Sequence, residues 1–490
     1  MKILHAVSEI YPLVKTGGLA DVAGALPPAL AAAGVAARVL VPAYPAVLQA
    51  MRRPEVVLED PALFGGGPAQ LMLAELDGVA VPAYVLDCPG LFARPGNPYQ
   101  GPDRQDWPDN HRRFAALGWA AARLGLGADP LWRPDIVHGH DWQAGLAPAY
   151  LAFQAADAPP LNVKRPRTVT TIHNIGFPGW FPAATAAELG LPPESLAIDG
   201  LEYFGGVGFL KAGLHYADRI TTVSRTYARE IQTPDYGYAL SGLLAARAAD
   251  LVGIVNGTDY GVWDPRRDPH LPAPYGPDDL SGKALSKAAL LKEFGLPEDD
   301  GSPLFAMVSR LTGQKGCDLL LDAVPALLAG GGRLALLGSG DAGLEAGFQA
   351  AAAAHPDRVA VRIGYDEALS HLLQAGADVL LVPSRTEPCG LTQMYALRYG
   401  TLPLVRRTGG LADTVVNASH DAIVEDRATG FSFDDPTGPA LAGTISWVCG
   451  LWRDRALWAQ LQRRAMAQDF SWDRAAQDYV ALYRDLLATP

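Results

Sequence analysis

The sequence predicts an α/β protein made of two doubly wound, Rossmann-like domains. Three observations predict it. Short β-branched runs recur at 2–8, 37–44, 79–87, 135–141, 168–174 and 219–224, then at 251–256, 304–310, 333–340, 359–365, 378–384 and 401–407. Ala/Leu-rich segments of helical character separate many of them, for example 109–126, 317–329, 342–354 and 366–376. Each strand-like run ends in a loop rich in Gly, Ser, His or Asn. Continuous apolar strands alternating with helices mark parallel sheets covered on both faces. Twelve such runs are too many for one tidy sheet, so two doubly wound domains are the economical arrangement.

The elements follow in order. Met1-Lys2-Ile3-Leu4-His5-Ala6-Val7-Ser8-Glu9 is a first strand, because its apolar stretch is short and meets Glu9 too soon for a signal peptide. A helix ending around Ala249 meets the strand-like Leu251–Val255 and the turn signal Asn256-Gly257-Thr258-Asp259, which places the domain boundary near 245–258. The expected division is 1–250 for the N-terminal domain, 251–468 for the C-terminal domain and 469–490 for a closing helix. The Pro/Asp-rich stretch 264–280 reads as loop. In the tail, Trp472, Ala476, Tyr479, Val480, Leu482, Tyr483, Leu486 and Leu487 recur at helical spacing. That face must be buried, and the N-terminal domain is its expected partner, although periodicity alone does not choose between the domains.

Composition bounds the function. The 490 residues are 49% hydrophobic and 19% charged, so a core is available and wholesale disorder is excluded. A net charge of -12 argues against nucleic acid, which needs a basic face, and against a polybasic membrane anchor. A neutral substrate such as a sugar polymer is compatible with it. No run of ~18 apolar residues is long enough for a membrane span. Cys88, Cys317, Cys389 and Cys449 lie far apart with no zinc-like spacing, which suits free thiols in a reducing compartment. A cytoplasmic protein is expected.

Several loops carry chemistry. Lys15-Thr16-Gly17-Gly18-Leu19-Ala20-Asp21 puts a lysine before a Gly-Gly turn that opens a helix, a place where backbone amides receive an anion. Thr16–Asp21 is repeated letter for letter at Thr408–Asp413. Shared helix-start chemistry and a shared ligand-facing backbone explain that echo equally well. Ser309-Arg310-Leu311-Thr312-Gly313-Gln314-Lys315-Gly316 follows the run 304–310, at the end of a parallel strand where ligands bind. Arg310 and Lys315 can converge there on a diphosphate, and with 8 lysines against 32 arginines a retained lysine carries some weight. Pro383-Ser384-Arg385-Thr386-Glu387-Pro388-Cys389-Gly390-Leu391-Thr392 offers Glu387 to sugar hydroxyls or to positive charge at an anomeric carbon, and the amides of Gly390, Leu391 and Thr392 to phosphate. Glu387 could equally be a helix-start carboxylate favoured by the macrodipole. Cys389 reads as a small buried filler.

Val137-His138-Gly139-His140-Asp141-Trp142 places two histidines on one face of a strand. A metal is one reading, with Thr171-Ile172-His173-Asn174 as a candidate source of a third ligand; a pocket wall that binds substrate is the preferred one. There is no Walker A motif and no Asp-x-Asp pair for a divalent ion. A diphosphate leaving group would then be neutralised by side-chain cations, so no metal and no cofactor are expected. Gly338-Ser339-Gly340-Asp341-Ala342-Gly343 fits GxGxxG between a strand and a helix, which keeps an NAD-dependent oxidoreductase as a rival from another class.

Together these motifs resemble the bacterial glycogen synthase and plant starch synthase family. The resemblance runs nearly end to end: KTGGLADV at 15–22, RPGNPY at 94–99, HGHDW at 138–142, TIHN at 171–174, FLKAGLHYADRITTVS at 209–224, VNGTD at 255–259, SRLTGQKG at 309–316, EPCGLTQ at 387–393 and RRTGGLADTV at 406–415. It implies two facing Rossmann-like domains of the GT-B architecture with an active-site cleft between them. It implies retaining transfer of glucose from ADP-glucose to the non-reducing 4-OH of glycogen or another α-1,4-glucan, with release of ADP. By the same resemblance His140 lies beside the transferred glucose, Arg310 and Lys315 neutralise the diphosphate, and Glu387 holds the glucose and favours oxocarbenium-like charge. Lys15, Gly17, Gly18, Cys389, Gly390, Leu391 and Thr392 line the donor site, with Asn256 and Tyr365 as secondary contacts. Glu9, Tyr99 and Asp141 face the glucose or acceptor. The sequence departs from the family pattern at Gly139, at Thr386 and at Arg225, and none of these removes a charged site residue.

The nearer alternatives are a relative that uses UDP-glucose or another acceptor, and a non-catalytic glucan-binding protein. A double displacement needs a nucleophile on the far face of the sugar, and no carboxylate is assigned there from sequence. Same-face attack assisted by the leaving phosphate is the expected route.

Overall fold

The apolar runs of the N-terminal half lie side by side in one nine-stranded sheet. The computed structural model describes residues 1–157 and 165–489. It divides into two units, Met1–Gly257 with the tail from Trp472, and Thr258–Ser471. The strands of the first unit are β1 (Lys2–Ala6), β2 (Ala36–Pro42), β3 (Met51–Asp60), β4 (Ala69–Leu76), β5 (Ala83–Asp87), β6 (Ile136–His140), β7 (Arg167–Ile172), β8 (Trp180–Pro182), β9 (Glu202–Tyr203), β10 (Gly206–Gly208), β11 (Arg219–Thr222) and β12 (Leu251–Gly253). The large sheet runs β12-β11-β7-β6-β1-β2-β5-β4-β3, and β8-β10-β9 form a small separate sheet. Pairing is parallel from β12 to β5 and antiparallel at β4 and β3.

Alternate residues of β1 show why the sheet is covered twice. Leu4 and Ala6 face a core with Val39, Val41 and Phe114. Ile3 faces the opposite core, with Ile136, Val169, Leu26 and Leu30. The strand order reverses at β1, which lies between β2 and β6. Ligands of such sheets bind outside the carboxyl ends of the strands at that reversal. Glu9 follows β1, while His140 ends β6 and Asp141 follows it.

The second unit repeats the plan. Its strands are β13 (Leu304–Val308), β14 (Arg333–Gly338), β15 (Val359–Ile363), β16 (Val379–Val382), β17 (Leu402–Arg406) and β18 (Phe431–Phe433). All are parallel, in the order β15-β14-β13-β16-β17-β18. Phe305 and Met307 fill one core and Leu304 and Ala306 the other. Here the order reverses between β13 and β16, so the loops after Val308 and Val382 flank the switch point.

Two expectations shift. The run at 251–256 does not begin the C-terminal domain: Leu251–Gly253 is β12 and pairs in parallel with β11, at the edge of the N-terminal sheet. The unit boundary therefore falls after Gly257, not 250, and the return falls at Trp472, not 469. The antiparallel pair β3–β4 goes unread in the sequence because Met51–Asp60 holds Pro54 and five charged residues on an edge strand with two register shifts.

The tail forms the helix Trp472–Ala488 and belongs to the first unit. Trp472, Ala476, Tyr479, Val480, Tyr483 and Leu486 are buried against Ile3, Leu26, Leu30, Ile136 and Val169. Each large apolar side chain buried this way contributes roughly 1.5–3 kcal/mol. Among the described residues no helix is long and apolar enough to cross a membrane.

Candidate active site

The switch point of the second unit holds a cavity with ≈ 500 Å³ of empty space, its mouth included, lined by residues 307–310, Lys315, Leu381, Val382, Ser384, Glu387 and 390–392. The loop after β13 and the loop after β16 meet there because glycine lets them touch. Gly316 has φ +69°, and a Cβ on it would overlap the carbonyl oxygen of Pro383. Lys315 donates from Nζ to Oε2 of Glu387 at 2.6 Å, and Ser384 Oγ donates to the same oxygen at 2.9 Å. Oε1 of Glu387 has no partner among the described residues. Arg310 is exposed at the rim, and its guanidinium is likewise without a partner among them. The cavity therefore pairs one free cation with a lysine already anchored to a carboxylate, and Lys315 keeps two further N–H donors.

Residues that sequence reasoning passed over hold this arrangement. Arg385 makes a bidentate pair with Asp318 at 2.6 and 2.7 Å and donates to Gly313 O at 2.7 Å. Its amide donates to Gln314 O at 2.8 Å. The loop carrying Lys315 is thus clamped to the loop carrying Glu387. The only sequence signal was the charge itself, flanked by Ser384 and Thr386. Cys389 is buried and sits behind the cavity lining, as a filler would.

The switch point of the first unit gathers Glu9, Thr16, Gly17, Tyr99, His140, Asp141 and His173. Glu9 is buried, and its carboxylate accepts Thr16 N at 2.5 Å, Gly17 N at 3.2 Å, Thr16 Oγ1 at 2.5 Å and the Tyr99 hydroxyl. Burial and then the Glu9 charge hold the Tyr99 hydroxyl well above its ordinary pKa. Glu9 thereby caps the helix Gly18–Ala32 from outside it and fixes the Lys15–Gly18 turn. Lys15 itself bonds Asp21 at 2.8 Å.

His5, His140 and His173 are linked in a chain, and His138 stacks on His140 at 4.3 Å. His140 Nδ1 contacts His173 Nε2 at 2.9 Å, and His140 Nε2 contacts His5 Nδ1 at 3.1 Å. Each contact holds one proton, so the tautomers run one way: if His140 donates to His173, His5 donates to His140. His138 bonds Tyr483 OH at 2.7 Å and Thr171 Oγ1 at 2.6 Å. Burial depresses His5 and His173 to about 3 and holds His138 and His140 well below 6.5, so all four are neutral at pH 7. His140 is fully buried with both nitrogens used, whereas His173 is partly exposed. Asp141 has φ +55° and ψ -169°, a strained conformation for a non-glycine residue. Its Oδ1 accepts His173 N at 2.7 Å and Asn174 N at 3.4 Å. Burial, with the Glu9 charge adding to it, pushes its carboxyl up to about 7.

His5, His138 and His140 bring one nitrogen each within 4.8 Å of one another, the only such ligand group among the described residues. Most of those nitrogens are engaged with one another, Tyr483, Thr171 and His173; only His5 Nε2 lacks a partner. A metal would have to break this network to bind.

Of the expected donor contacts only Gly390, Leu391 and Thr392 line the cavity; Lys15, Gly17, Gly18, Asn256, Tyr365 and Cys389 stand apart from it. Tyr365 is 72% exposed beyond β15. Asn256 lies in the first unit, buried, with an unpartnered Oδ1. The GxGxxG segment has a packing explanation. A Cβ on Gly338 or Gly340 would overlap the carbonyl oxygens of Ser309 and Leu311. Asp341 caps Gly343 and Leu344, and Glu345 takes the Gly340 amide at 2.7 Å. Carboxylates occupy the amides a dinucleotide would need.

Two family models match the chain: the starch synthase catalytic domain over residues 2–246, and glycosyl transferases group 1 over residues 291–460. Two Rossmann-like units with these matches define a hexosyltransferase of the GT-B class. Its relatives narrow that class. Glycogen synthase 2 of Bradyrhizobium diazoefficiens is 52% identical over 486 residues, 99% of this chain and 98% of that one. The glycogen synthase of Paramagnetospirillum magneticum is 51% identical over 491 residues, with 99% and 98% covered. The catalytic domain of starch synthase IV from Arabidopsis thaliana, bound to ADP and acarbose, superposes with a TM-score of 0.86 at 30% identity and 99% coverage of both chains. Sucrose-phosphate synthase from Thermosynechococcus elongatus shares the fold alone, with a TM-score of 0.58 at 19% identity over 100% of this chain and 99% of that one. The chain belongs to the glycogen synthase and starch synthase family.

Proposed function

We propose that this enzyme transfers glucose from ADP-glucose to the non-reducing 4-OH of an α-1,4-glucan such as glycogen, with retention, releasing ADP. The observation that carries the reading is the cavity in which partner-free Arg310 stands beside the Lys315–Glu387 pair at 2.6 Å. Arg310 and the two spare donors of Lys315 neutralise the diphosphate as the bond from the anomeric carbon breaks, the task a divalent ion would otherwise perform. Glu387 orients Lys315 through Oε2 and offers Oε1 to a glucose hydroxyl or to positive charge at the anomeric carbon. Gly390, Leu391 and Thr392 complete the donor wall, and the family resemblance adds Lys15, Gly17 and Gly18 as donor contacts. The ADP and acarbose held by the starch synthase relative support a nucleotide donor and a glucan acceptor.

The proton and electrons balance in a same-face step. The bond from the anomeric carbon to the ADP oxygen breaks, the bond to the acceptor O4 forms, and the O4 proton passes to the departing phosphate. His140, expected beside the transferred glucose, has both ring nitrogens engaged with His173 and His5. Asp141 holds the loop after β7 by accepting the amide of His173. No metal, cofactor, nucleic acid or membrane enters this reading, and a cytoplasmic location suits it.

The test is nucleotide release by purified protein given ADP-glucose or UDP-glucose, with and without glycogen, in EDTA. Glycogen-dependent ADP release is expected. Release of UDP alone moves the enzyme to the other donor, and silence with both overturns the transfer reading. Glu387→Ala and Lys315→Ala are expected to lower turnover by orders of magnitude in folded protein. Near-normal rates in both would show that the site lies elsewhere.

A further inference from the structure

Gly390 and Leu391 line the cavity, and their amides donate to no acceptor among the described residues. What aims those two N–H groups lies behind the wall. Gln393, the second residue of the helix Thr392–Arg398, is fully buried and does not line the cavity. Its Nε2 donates to Cys389 O at 3.0 Å, to Gly390 O at 3.0 Å and to Thr414 Oγ1 at 3.1 Å. Thr414 Oγ1 has its own proton on Gly410 O at 2.7 Å, so toward Gln393 it only accepts. One side-chain amide therefore holds the carbonyl ends of two successive peptide groups, 389–390 and 390–391. A trans peptide is planar, with its N–H opposed to its C=O. Fixing the oxygens of Cys389 and Gly390 on the buried side turns the Gly390 and Leu391 N–H groups away from Gln393 and toward the cavity these residues line.

The carboxamide has one workable orientation. Reversed, its oxygen would stand against the carbonyl oxygens of Cys389 and Gly390. As it is, Oε1 is buried and has no hydrogen-bond partner. A methionine would fill the same space without an orphaned acceptor, so packing alone gives no reason for glutamine here. Gly390 makes room for it: its φ is +74°, and a Cβ on it would stand 2.4 Å from Gln393 Oε1. We propose that Gln393 is a positioning residue for the nucleotide-sugar donor, and that its carboxamide sets the two amides of the donor wall before substrate arrives. The inference rests on the transfer reading above and adds to it a residue that touches no substrate. Through Thr414 the same carboxamide ties the donor wall to the helix Gly409–Thr414. A glutamine that only joins these two segments, with no effect on the donor, is the competing reading.

The test compares Gln393→Met with Gln393→Glu. Methionine keeps the length and bulk and carries no donor. Glutamate keeps the shape and carries a donor only when protonated, a form that burial beside two carbonyl oxygens favours. The readouts are KM for ADP-glucose and for glycogen, Kd for ADP by titration calorimetry, and melting temperature. In Gln393→Met, Kd for ADP and KM for ADP-glucose are expected to rise about tenfold, with KM for glycogen within about twofold of wild type. In Gln393→Glu the rate at low ADP-glucose, divided by that of wild type, is expected to rise about fivefold from pH 8 to pH 6. The ratio cancels every group that titrates in both proteins. Unchanged donor constants in folded Gln393→Met overturn the role, whatever the melting temperature does, because the residue would then serve packing alone. Equal rises for glycogen and ADP-glucose overturn it too, since the disturbance would not be confined to the donor wall. A pH-independent ratio in Gln393→Glu overturns the part given to the N–H donors, and this variant at pH 6 keeps the inference testable if Gln393→Met fails to fold. Calorimetry separates the inference from the reading it rests on. Weaker ADP binding by Gln393→Met, where wild type binds ADP but releases none from ADP-glucose, keeps the positioning role and overturns the transfer reading.

Discussion

The same six residues, Thr-Gly-Gly-Leu-Ala-Asp, open two helices and face two different neighbours. At Thr16–Asp21 the glycines are exposed, and a Cβ on Gly17 or Gly18 would meet nothing within 4 Å. The amides of Thr16 and Gly17 are held by the buried carboxylate of Glu9, earlier in the same loop after β1. At Thr408–Asp413 the glycines are buried. Gly409 has φ +45°, and a Cβ on it would overlap Glu387 O; one on Gly410 would overlap Cys389 O. The Gly410 amide donates to Glu387 O and Pro388 O, both at 3.1 Å. The first copy keeps open space beside both glycines while Glu9 holds the Thr16 and Gly17 amides. The second spends it on the back of the loop that carries Glu387. An identical hexapeptide therefore has no fixed role, and what stands opposite the glycines decides it.

Gly410→Ala should have the largest effect. Its new methyl meets backbone, which cannot swing aside, so the Glu387–Gly390 loop must move. Overpacking of this kind costs about 1–3 kcal/mol, and a misplacement of ~1 Å can cost on the order of 100-fold in turnover. Thermal melting and kcat measure both. Gly17→Ala is the matched change in the first copy. Its stability should stay within about 0.5 kcal/mol of wild type, while KM for ADP-glucose rises several-fold. Equal losses of melting temperature in the two variants would break the comparison.

Protonation gives the next contrast, because the surroundings of the first copy titrate. In the folded protein Asp141 sits at about 7 against an ordinary 3.8. Between those values the folded state keeps a proton that the unfolded chain has lost, so this group lowers stability as pH rises, and its full cost is present above 7. His5 and His173, at about 3 against 6.5, act oppositely: stability is lost as pH falls from 6.5 toward 3. Asp141→Asn retains an oxygen for the two amides and removes the first effect alone. Its melting temperature should exceed wild type more at pH 8 than at pH 5. Parallel pH profiles would show that Asp141 titrates as an ordinary carboxylate.

The smallest effect concerns the residue before each copy. Lys15 pairs with Asp21 at 2.8 Å, and its counterpart Arg407 pairs with Asp434 at 2.6 Å. Exposed pairs are worth about 0.2–1 kcal/mol. Asp21→Asn should free Lys15 and lower KM for ADP-glucose by up to about fivefold, whereas Asp434→Asn should leave it unchanged. A response to Asp434→Asn would blur the two copies.

Much of this was legible without coordinates because it is local. Strands and their intervening helices follow from apolar runs and periodicity, so the helices Cys317–Ala329 and Ala342–Ala354 fall where those segments were read. Arg310, Lys315 and Glu387 stood out because each follows a strand-like run, where a parallel sheet exposes its ends, whereas Glu9 and Asp141 were marked by the family resemblance alone. By itself the sequence determined the strand–helix alternation, the buried face of the tail helix and the chemical types at each strand end.

Pairing across long separations belongs to the tertiary structure. Only the sheet order put β12 on the N-terminal sheet, since three residues pair equally well with either neighbour until the chain path selects one. Only packing set Tyr483 beside His138, 345 residues away, and engaged both nitrogens of His140 with His173 and His5. Only contact with Glu387 and Cys389 separated the two copies of Thr-Gly-Gly-Leu-Ala-Asp. The physical reason is common to all three. Hydrogen-bond partners and steric neighbours are properties of pairs, and residue type and spacing specify only one member of each pair.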